Sequence, residues 1–595
     1  MAPGGGHARG PPERAEGTRR PGAGSRRRPR GRCPRGAAGR PGRLNAVPAD
    51  LDLLVTGRVA TLAGRAGPAF VEAIAIGGGR VVAAGGRTDI SELAGRNVRR
   101  IDLAPDQIAV PGLTDAHLHL ADAALASKRV DLAVSATPEE GLRTIRAAHE
   151  KLRDPDAWLE GGGWDPGRWG TWPTASDLEA VAPGRKVALW AHDHHALWVS
   201  PAALAAAGID GSTPDPSGGV IRRAADGTPT GALHEGAAGL VTAHVPRPTA
   251  DEIEVAIERF VPQLLARGVV AAHDPGEIKS DAALEGGFAA YRRLAAAGRL
   301  KLRVHACLRQ DALAVARDRE LRSGQLLGPD PLTRAHVGWL KLFADGTVGS
   351  RTAALLDPYE STPDGASSAG GPTGLFVTPP ELIRDLAEQA AAAGIATTIH
   401  AIGDAAVRVA LDALAPTVGL TPLMPRIEHI QLATSGDIAR FQELGIAASV
   451  QPIHLHGDGE HPRLAWGDRV LSRGYPWWQL VRARAVMPFG TDAPVEPIDP
   501  WPGILLALTP RPVQVPGEPR PRMRALALGR ALRAACLDPA ISARERDRGR
   551  LSPGSRADVV VIPGADLAQR FGPGEARLTV RPQLVLMDGE EVFAA

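Results

Sequence analysis

Residues 110–120 read V-P-G-L-T-D-A-H-L-H-L: an apolar run, a Pro-Gly, and two histidines two residues apart. On a strand, side chains at i and i+2 leave the same face. His117 and His119 therefore point one way from a strand end, as the two arms of a chelate would.

Working outward, apolar runs of strand length recur at 269–273, 302–306, 338–343, 395–399, 426–430, 446–451 and 485–490. Ala/Leu-rich helical stretches such as 381–393 separate them. Alternation of this kind predicts βα units around a parallel sheet. With 110–116 the strands number eight, which predicts an α/β fold of the (β/α)8 TIM type with its site at the C-terminal face. The count requires residues 130–245 to be an insertion after strand 1. That segment carries Trp158, Trp164, Trp169, Trp172, Trp190 and Trp198. Insertions at this end of a barrel stand over the site, so these rings either wall a substrate pocket, Trp164 and Trp169 foremost, or form the core of a lid. Short alternating strands with glycine turns occur only near the two chain ends, around 52–85 and 557–593. They predict one small β-sandwich built from both termini. The expected domains are a tail over 1–47, the composite sandwich over 48–109 and 545–595, and the barrel over 110–544.

At 595 residues, 44% apolar and 23% charged, the chain has a globular composition. No window approaches twenty uninterrupted apolar residues, so no membrane span is expected. Cys33, Cys307 and Cys536 are too few and scattered for a disulfide framework, which predicts a reducing, cytoplasmic setting. The net charge of +3 hides an asymmetry: residues 1–45 hold twelve Arg and two Glu, a net +10, which leaves −7 for the rest. That Gly/Pro/Arg segment has too little apolar surface to fold and is expected to be disordered. Nucleic acid is not the expected partner.

The fourth, fifth, sixth and eighth strands carry ionisable residues at or near their ends. Lys341 stands alone inside the apolar W-L-K-L-F (339–343), His400 ends T-T-I-H, His429 ends R-I-E-H, and Asp492 follows F-G-T. Singly, each has an ordinary explanation: a satisfied histidine, a snorkelling lysine, a turn aspartate. Jointly, ordinary explanations would have to hold at five strand ends, each carrying a residue type that suits zinc and its neighbours. A divalent metal, one ion or two, is the expected cofactor.

The series T-D-A-H-L-H, W-L-K-L-F-A-D-G-T-V-G-S-R-T-A, H-A-I-G-D, R-I-E-H-I-Q, S-V-Q-P and F-G-T-D-A-P-V-E-P resembles the amidohydrolase superfamily, and within it the YtcJ-like metal-dependent hydrolases. The resemblance extends through D-P-S-G-G-V-I (215–221), D-G-T-P-T-G-A-L-H-E (226–235) and G-R-L-S-P-G-S-R-A-D-V-V-V (549–561), and covers about residues 50–590. It implies that His117 and His119 bind the more buried metal and that His400 and His429 bind a second. It implies that Lys341 can become a carbamate, and that Asp492 binds metal and handles the proton. Asp193 and His195 match a family substrate segment, although His194 replaces its glycine and Ser200-Pro201 its Asn-Ser. Asp345 and Arg351 either line the pocket or pin the loop after strand four. His273 and Asp274 are expected to orient ligands. His454, His456 and His461 cluster after strand seven and either face the site or, as the favoured reading, lie in a solvated loop. Residues 530–540, R-A-L-R-A-A-C-L-D-P-A, replace a Tyr-Thr-x-Asn-Ala-Ala type segment and are expected to affect packing alone.

The implied activity is hydrolysis of a non-peptide C–N bond, of an N-acyl, N-formyl or cyclic amide. A divalent cation can lower the pKa of a bound water to about 7 and stabilise the oxyanion, while Asp492 passes the proton to the departing amine. Ester hydrolysis or decarboxylation at the same site, and a non-catalytic metal-binding regulatory barrel, are the alternatives. The expected partners are a small-molecule substrate and, for assembly, a second copy in a homodimer; no membrane is expected.

Overall fold

A computed structural model describes residues 51–595 apart from 65–66, 94, 96, 192–195, 217–218, 278–281, 330–333, 350, 361–370, 460, 511–522 and 565–579. The tail over 1–47, Asp193 and His195 lie outside the described residues.

The run that ends in His117 is a short strand, Leu113–Asp115, at one edge of a seven-stranded parallel sheet. Its neighbours follow in chain order: Val269–Asp274, Arg303–Arg309, Ala335–Phe343, Thr397–Ala401, Arg426–His429 and Ala447–Ser449. Strands covered on both faces tolerate near-continuous apolar sequence, and Val269–Asp274 is buried along its whole length. Helices supply the outer cover. Ala250–Leu265 starts at a capping box between Thr249 and Glu252 and buries Ile253, Ile257, Phe260, Val261 and Leu264 along one stripe.

The expected eighth strand, 485–490, does not form as a strand. Pro488 has no N–H to give to a ladder, and a single bridge, Val450 to Phe489, is what remains. The segment still runs between the sheet's two edges. Ala448 N donates to Val486 O at 2.8 Å and Val450 N to Pro488 O at 3.0 Å. On the other side Ala116 N donates to Phe489 O at 2.9 Å and Asp492 N to His117 O at 2.7 Å. Asp492 is thus tied directly to the first strand's histidine pair.

The chain ends build one hydrogen-bonded sheet of eight strands, not two separately bonded sheets. Leu53–Ala60, Phe70–Gly77, Arg80–Gly85, Arg99–Asp102 and Gln107–Pro111 are joined there by Val559–Pro563, Leu584–Met587 and Glu590–Ala594. Between Val130 and Glu235 the insertion forms a six-stranded mixed sheet of its own. Its tryptophans settle one alternative. Trp164 is fully buried, its indole N–H donates to Leu189 O at 2.8 Å, and its ring meets those of Trp169, Trp172 and Trp198. Trp164 is core of the insertion, which corrects its reading as a pocket wall. Among the described residues, no helix is long and apolar enough to cross a membrane.

Candidate metal centre

Around Asp492 the strand ends converge. Its Oδ1 lies 3.3 Å from Nε2 of His117 and 3.5 Å from Nε2 of His119, and its Oδ2 lies 3.2 Å from Nε2 of His454. His117, His119 and Asp492 form one group able to hold a metal ion, and His429, His454 and Asp492 a second. The His117 ring sits 5.1 Å from that of His429, which is 4.4 Å from the His400 ring.

The far side of each imidazole is also placed. His119 Nδ1 donates to the Gly276 carbonyl at 2.7 Å, and His117 Nδ1 faces Glu428 Oε2 at 2.9 Å. Metal-binding histidines are commonly held this way, with one ring nitrogen fixed by a carboxylate or carbonyl and the other free for the ion. His400 Nε2 lies 3.2 Å from Gly346 O.

Backbone geometry marks the same place. His429 and Asp492 adopt φ of 73° and 64°, a left-handed conformation that costs non-glycine residues about 1–3 kcal/mol and concentrates at functional sites. Gly490 is required by close approach: a Cβ there would stand 2.6 Å from both Cβ and N of His117.

Burial and charge together set the protonation states. Burial pushes His400 down to about 3 and His429 well below the usual imidazole range, leaving neutral rings with lone pairs. For His454 burial is outweighed by Asp492, which draws the ring up to about 9. Asp492 itself is buried, yet His117, His119 and His454 hold it well below the usual carboxylate range. Burial pushes Lys341 down to about 8. Its Nζ has no hydrogen-bond partner and lies 4.7 Å over the Phe343 ring. A buried amine left unpaired and a carboxylate encircled by imidazoles make a donor set that fits a divalent cation.

Two residues expected near the substrate do other work. The Asp345 carboxylate accepts backbone N–H groups from Ala354 at 2.9 Å, Ile402 at 3.0 Å and Gly403 at 2.8 Å. Arg351 donates to the Glu360 carbonyl and lies over the Tyr359 ring. Their contacts fit the loop-pinning alternative, and Asp345 Oδ1 also lies 3.7 Å from His400 Nε2. His273 receives Arg426 at 2.9 Å through Nδ1, one step behind Glu428, whereas Asp274 accepts the Tyr291 hydroxyl. Of the two readings of His454, the less favoured one holds: it meets Asp492. The reason is local: it starts a short helix, His454–Gly457, where positions i and i+2 diverge by about 200°, so His456 is exposed while His454 is not. Glu428, whose charge inside a buried strand was the available signal, and Asp115, which accepts from Thr491 N at 3.0 Å and Oγ1 at 2.6 Å, were also missed.

The fold and site define an α/β protein whose ionisable groups gather where parallel strands end. The profile of the amidohydrolase family matches residues 101–593. The protein LONG AFTER FAR-RED 3 of Arabidopsis thaliana is 31% identical over 527 residues, 86% of this chain and 87% of that one. YtcJ of Bacillus subtilis is 29% identical over 78% of this chain and 85% of its own. The N-substituted formamide deformylase of Arthrobacter pascens is 28% identical over 82% and 90%. A crystal structure of an uncharacterized metal-dependent hydrolase from Pyrococcus furiosus superposes with a TM-score of 0.69 at 26% identity, over 87% of this chain and 99% of that one. The chain belongs to the amidohydrolase family, in its YtcJ-like part. That membership places it among hydrolases.

Proposed function

We propose that the protein is a metal-dependent hydrolase of non-peptide C–N bonds, acting on an N-acyl, N-formyl or cyclic amide. The observation that carries this is the convergence of His117, His119, His429 and His454 on the two oxygens of Asp492. Two similarities support it: one relative is a formamide deformylase, and one similar structure is of a metal-dependent hydrolase.

His117, His119 and Asp492 would hold one cation; His429, with His400 and Lys341 beside it, would hold a second. Zinc suits the imidazole and carboxylate donors. When bound, such a cation supplies an acidified water and polarises the substrate carbonyl. Lys341 enters as the neutral amine that burial favours; its Nζ adds to carbon dioxide, loses a proton and becomes an anionic carbamate oxygen donor. Asp492 takes the proton of the attacking water on a carboxylate oxygen and delivers it to the amine nitrogen as the C–N bond breaks. Without that proton an amide anion would have to leave.

In this reading the segment 486–490 closes the parallel sheet as the eighth member of a (β/α)8 barrel, and the eight-stranded sheet of the chain ends folds over as a sandwich. The protein would work in the cytoplasm on a small molecule, with a homodimer as its assembly and neither nucleic acid nor membrane as partner. Activity of metal-replete protein against N-acyl amines, formamides, cyclic amides and esters, compared with Asp492→Asn, tests the proposal. Amide turnover abolished by Asp492→Asn is expected. Turnover of esters alone would move the chemistry to C–O bonds, and Asp492→Asn with undiminished activity would remove the proton role.

A further inference from the structure

We infer that His454 is a metal ligand, a further donor beside His429 and Asp492 at the second cation position. The inference rests on the metal-hydrolase reading and goes beyond it, since no strand end supplies His454.

Donors bound at 2.0–2.1 Å around a tetrahedral ion lie about 3.3 Å from one another. The separations at Asp492 match that edge on both sides: 3.3 and 3.5 Å from Oδ1 to His117 and His119, and 3.2 Å from Oδ2 to His454. Each carboxylate oxygen thus serves a different set of imidazoles. A simple charged hydrogen bond between His454 and Asp492 would have the same length, but it does not account for His429. That ring is 95% buried, its Nδ1 has no hydrogen-bond partner, and it offers a ligand atom within 4.8 Å of both His454 and Asp492. A buried ring nitrogen without a partner, in a side chain grouped with His454 and Asp492, is accounted for by an ion bound among them.

Nδ1 of His117 lies 2.9 Å from Glu428 and Nδ1 of His119 lies 2.7 Å from the Gly276 carbonyl, whereas Nδ1 of His454 stands 4.0 Å from Glu496 Oε1, too far for a hydrogen bond. Three rings around Asp492 therefore present Nε2 inward, and in two of them Nδ1 is held by an acceptor, as in metal-bound imidazole. His456 and His461 are exposed and serve as controls from the same segment.

The test is metal content of the full-length protein after loading with zinc or cobalt(II) and dialysis, together with the visible absorption of the cobalt form. Wild type and His456→Ala are expected to keep two equivalents. His454→Ala is expected to keep one and to lose the absorption of one of the two sites. His454→Asn, which preserves a polar group against Asp492, is expected to behave like His454→Ala and guards against a folding defect. His454→Ala with both equivalents and the wild-type spectrum overturns the assignment, as does a wild type with a single equivalent. A wild type that holds no cation defeats the hydrolase reading itself.

Discussion

Nδ1 of His117 lies 2.9 Å from Oε2 of Glu428, and both side chains are sealed from solvent. The other oxygen of Glu428 takes Arg426 Nε at 2.6 Å and the Thr398 hydroxyl at 2.6 Å. Arg426 in turn stacks on Trp339 and reaches His273. Burial works against the ionised carboxylate, but Arg426, His117 and Lys341 outweigh it and hold Glu428 well below its usual range. A carboxyl depressed on folding stabilises the fold above its unfolded value of about 4.3 and loses that contribution as pH falls through the folded value. Glu428→Gln leaves Arg426 buried without its counter-charge, which should cost about 3–5 kcal/mol. It should also weaken metal binding by about 10–100-fold through His117. Urea unfolding and zinc affinity measure the two effects separately.

Lys341 should trade stability for function. Its folded value, about 8, lies below the ordinary 10.5, so between these pH values the unfolded chain binds the extra proton and stability should rise with pH. Lys341→Met should remove that slope and raise the stability of metal-free protein at pH 7 by on the order of 3 kcal/mol. The same variant should be inactive. Thermal melts of metal-free protein across pH 7–11 provide the check.

Trp164 separates a core from a pocket wall. Trp164→Ala empties the centre of a four-tryptophan cluster and should destabilise by about 3–5 kcal/mol. Folded Trp164→Ala protein at low temperature should keep the wild-type KM. A raised KM without lost stability would put the indole at the substrate instead.

Gly490 tests how tightly the first and last site segments are locked. A methyl group there collides with the Cβ and backbone of His117, so Gly490→Ala should cost about 1–3 kcal/mol and lower metal occupancy by displacing His117. Normal occupancy with normal stability would show that the segment can shift aside.

Much of this site could be read from sequence because strand geometry is periodic. His117 and His119 declare a shared face by their spacing, and Lys341 declares itself as a charge within an apolar strand. Asp492 was legible as a residue type, but its link to His117 runs through a segment that Pro488 keeps from being a strand. His454 was not legible, because its direction depends on the phase of a four-residue helix that no periodic pattern announces. Glu428 stood in the quoted R-I-E-H-I-Q, yet its role appears only when His117, more than three hundred residues earlier, is seen to face it. Trp164 could not be assigned from composition, since a tryptophan-rich insertion serves equally as core or wall until its hydrogen bonds are known.

The central claim is tested most directly by anomalous diffraction at the zinc edge from crystals of the zinc-loaded protein. A peak is expected about 2.0–2.2 Å from Nε2 of His117, Nε2 of His119 and a carboxylate oxygen of Asp492. Active crystals with no anomalous density among these three side chains would contradict it.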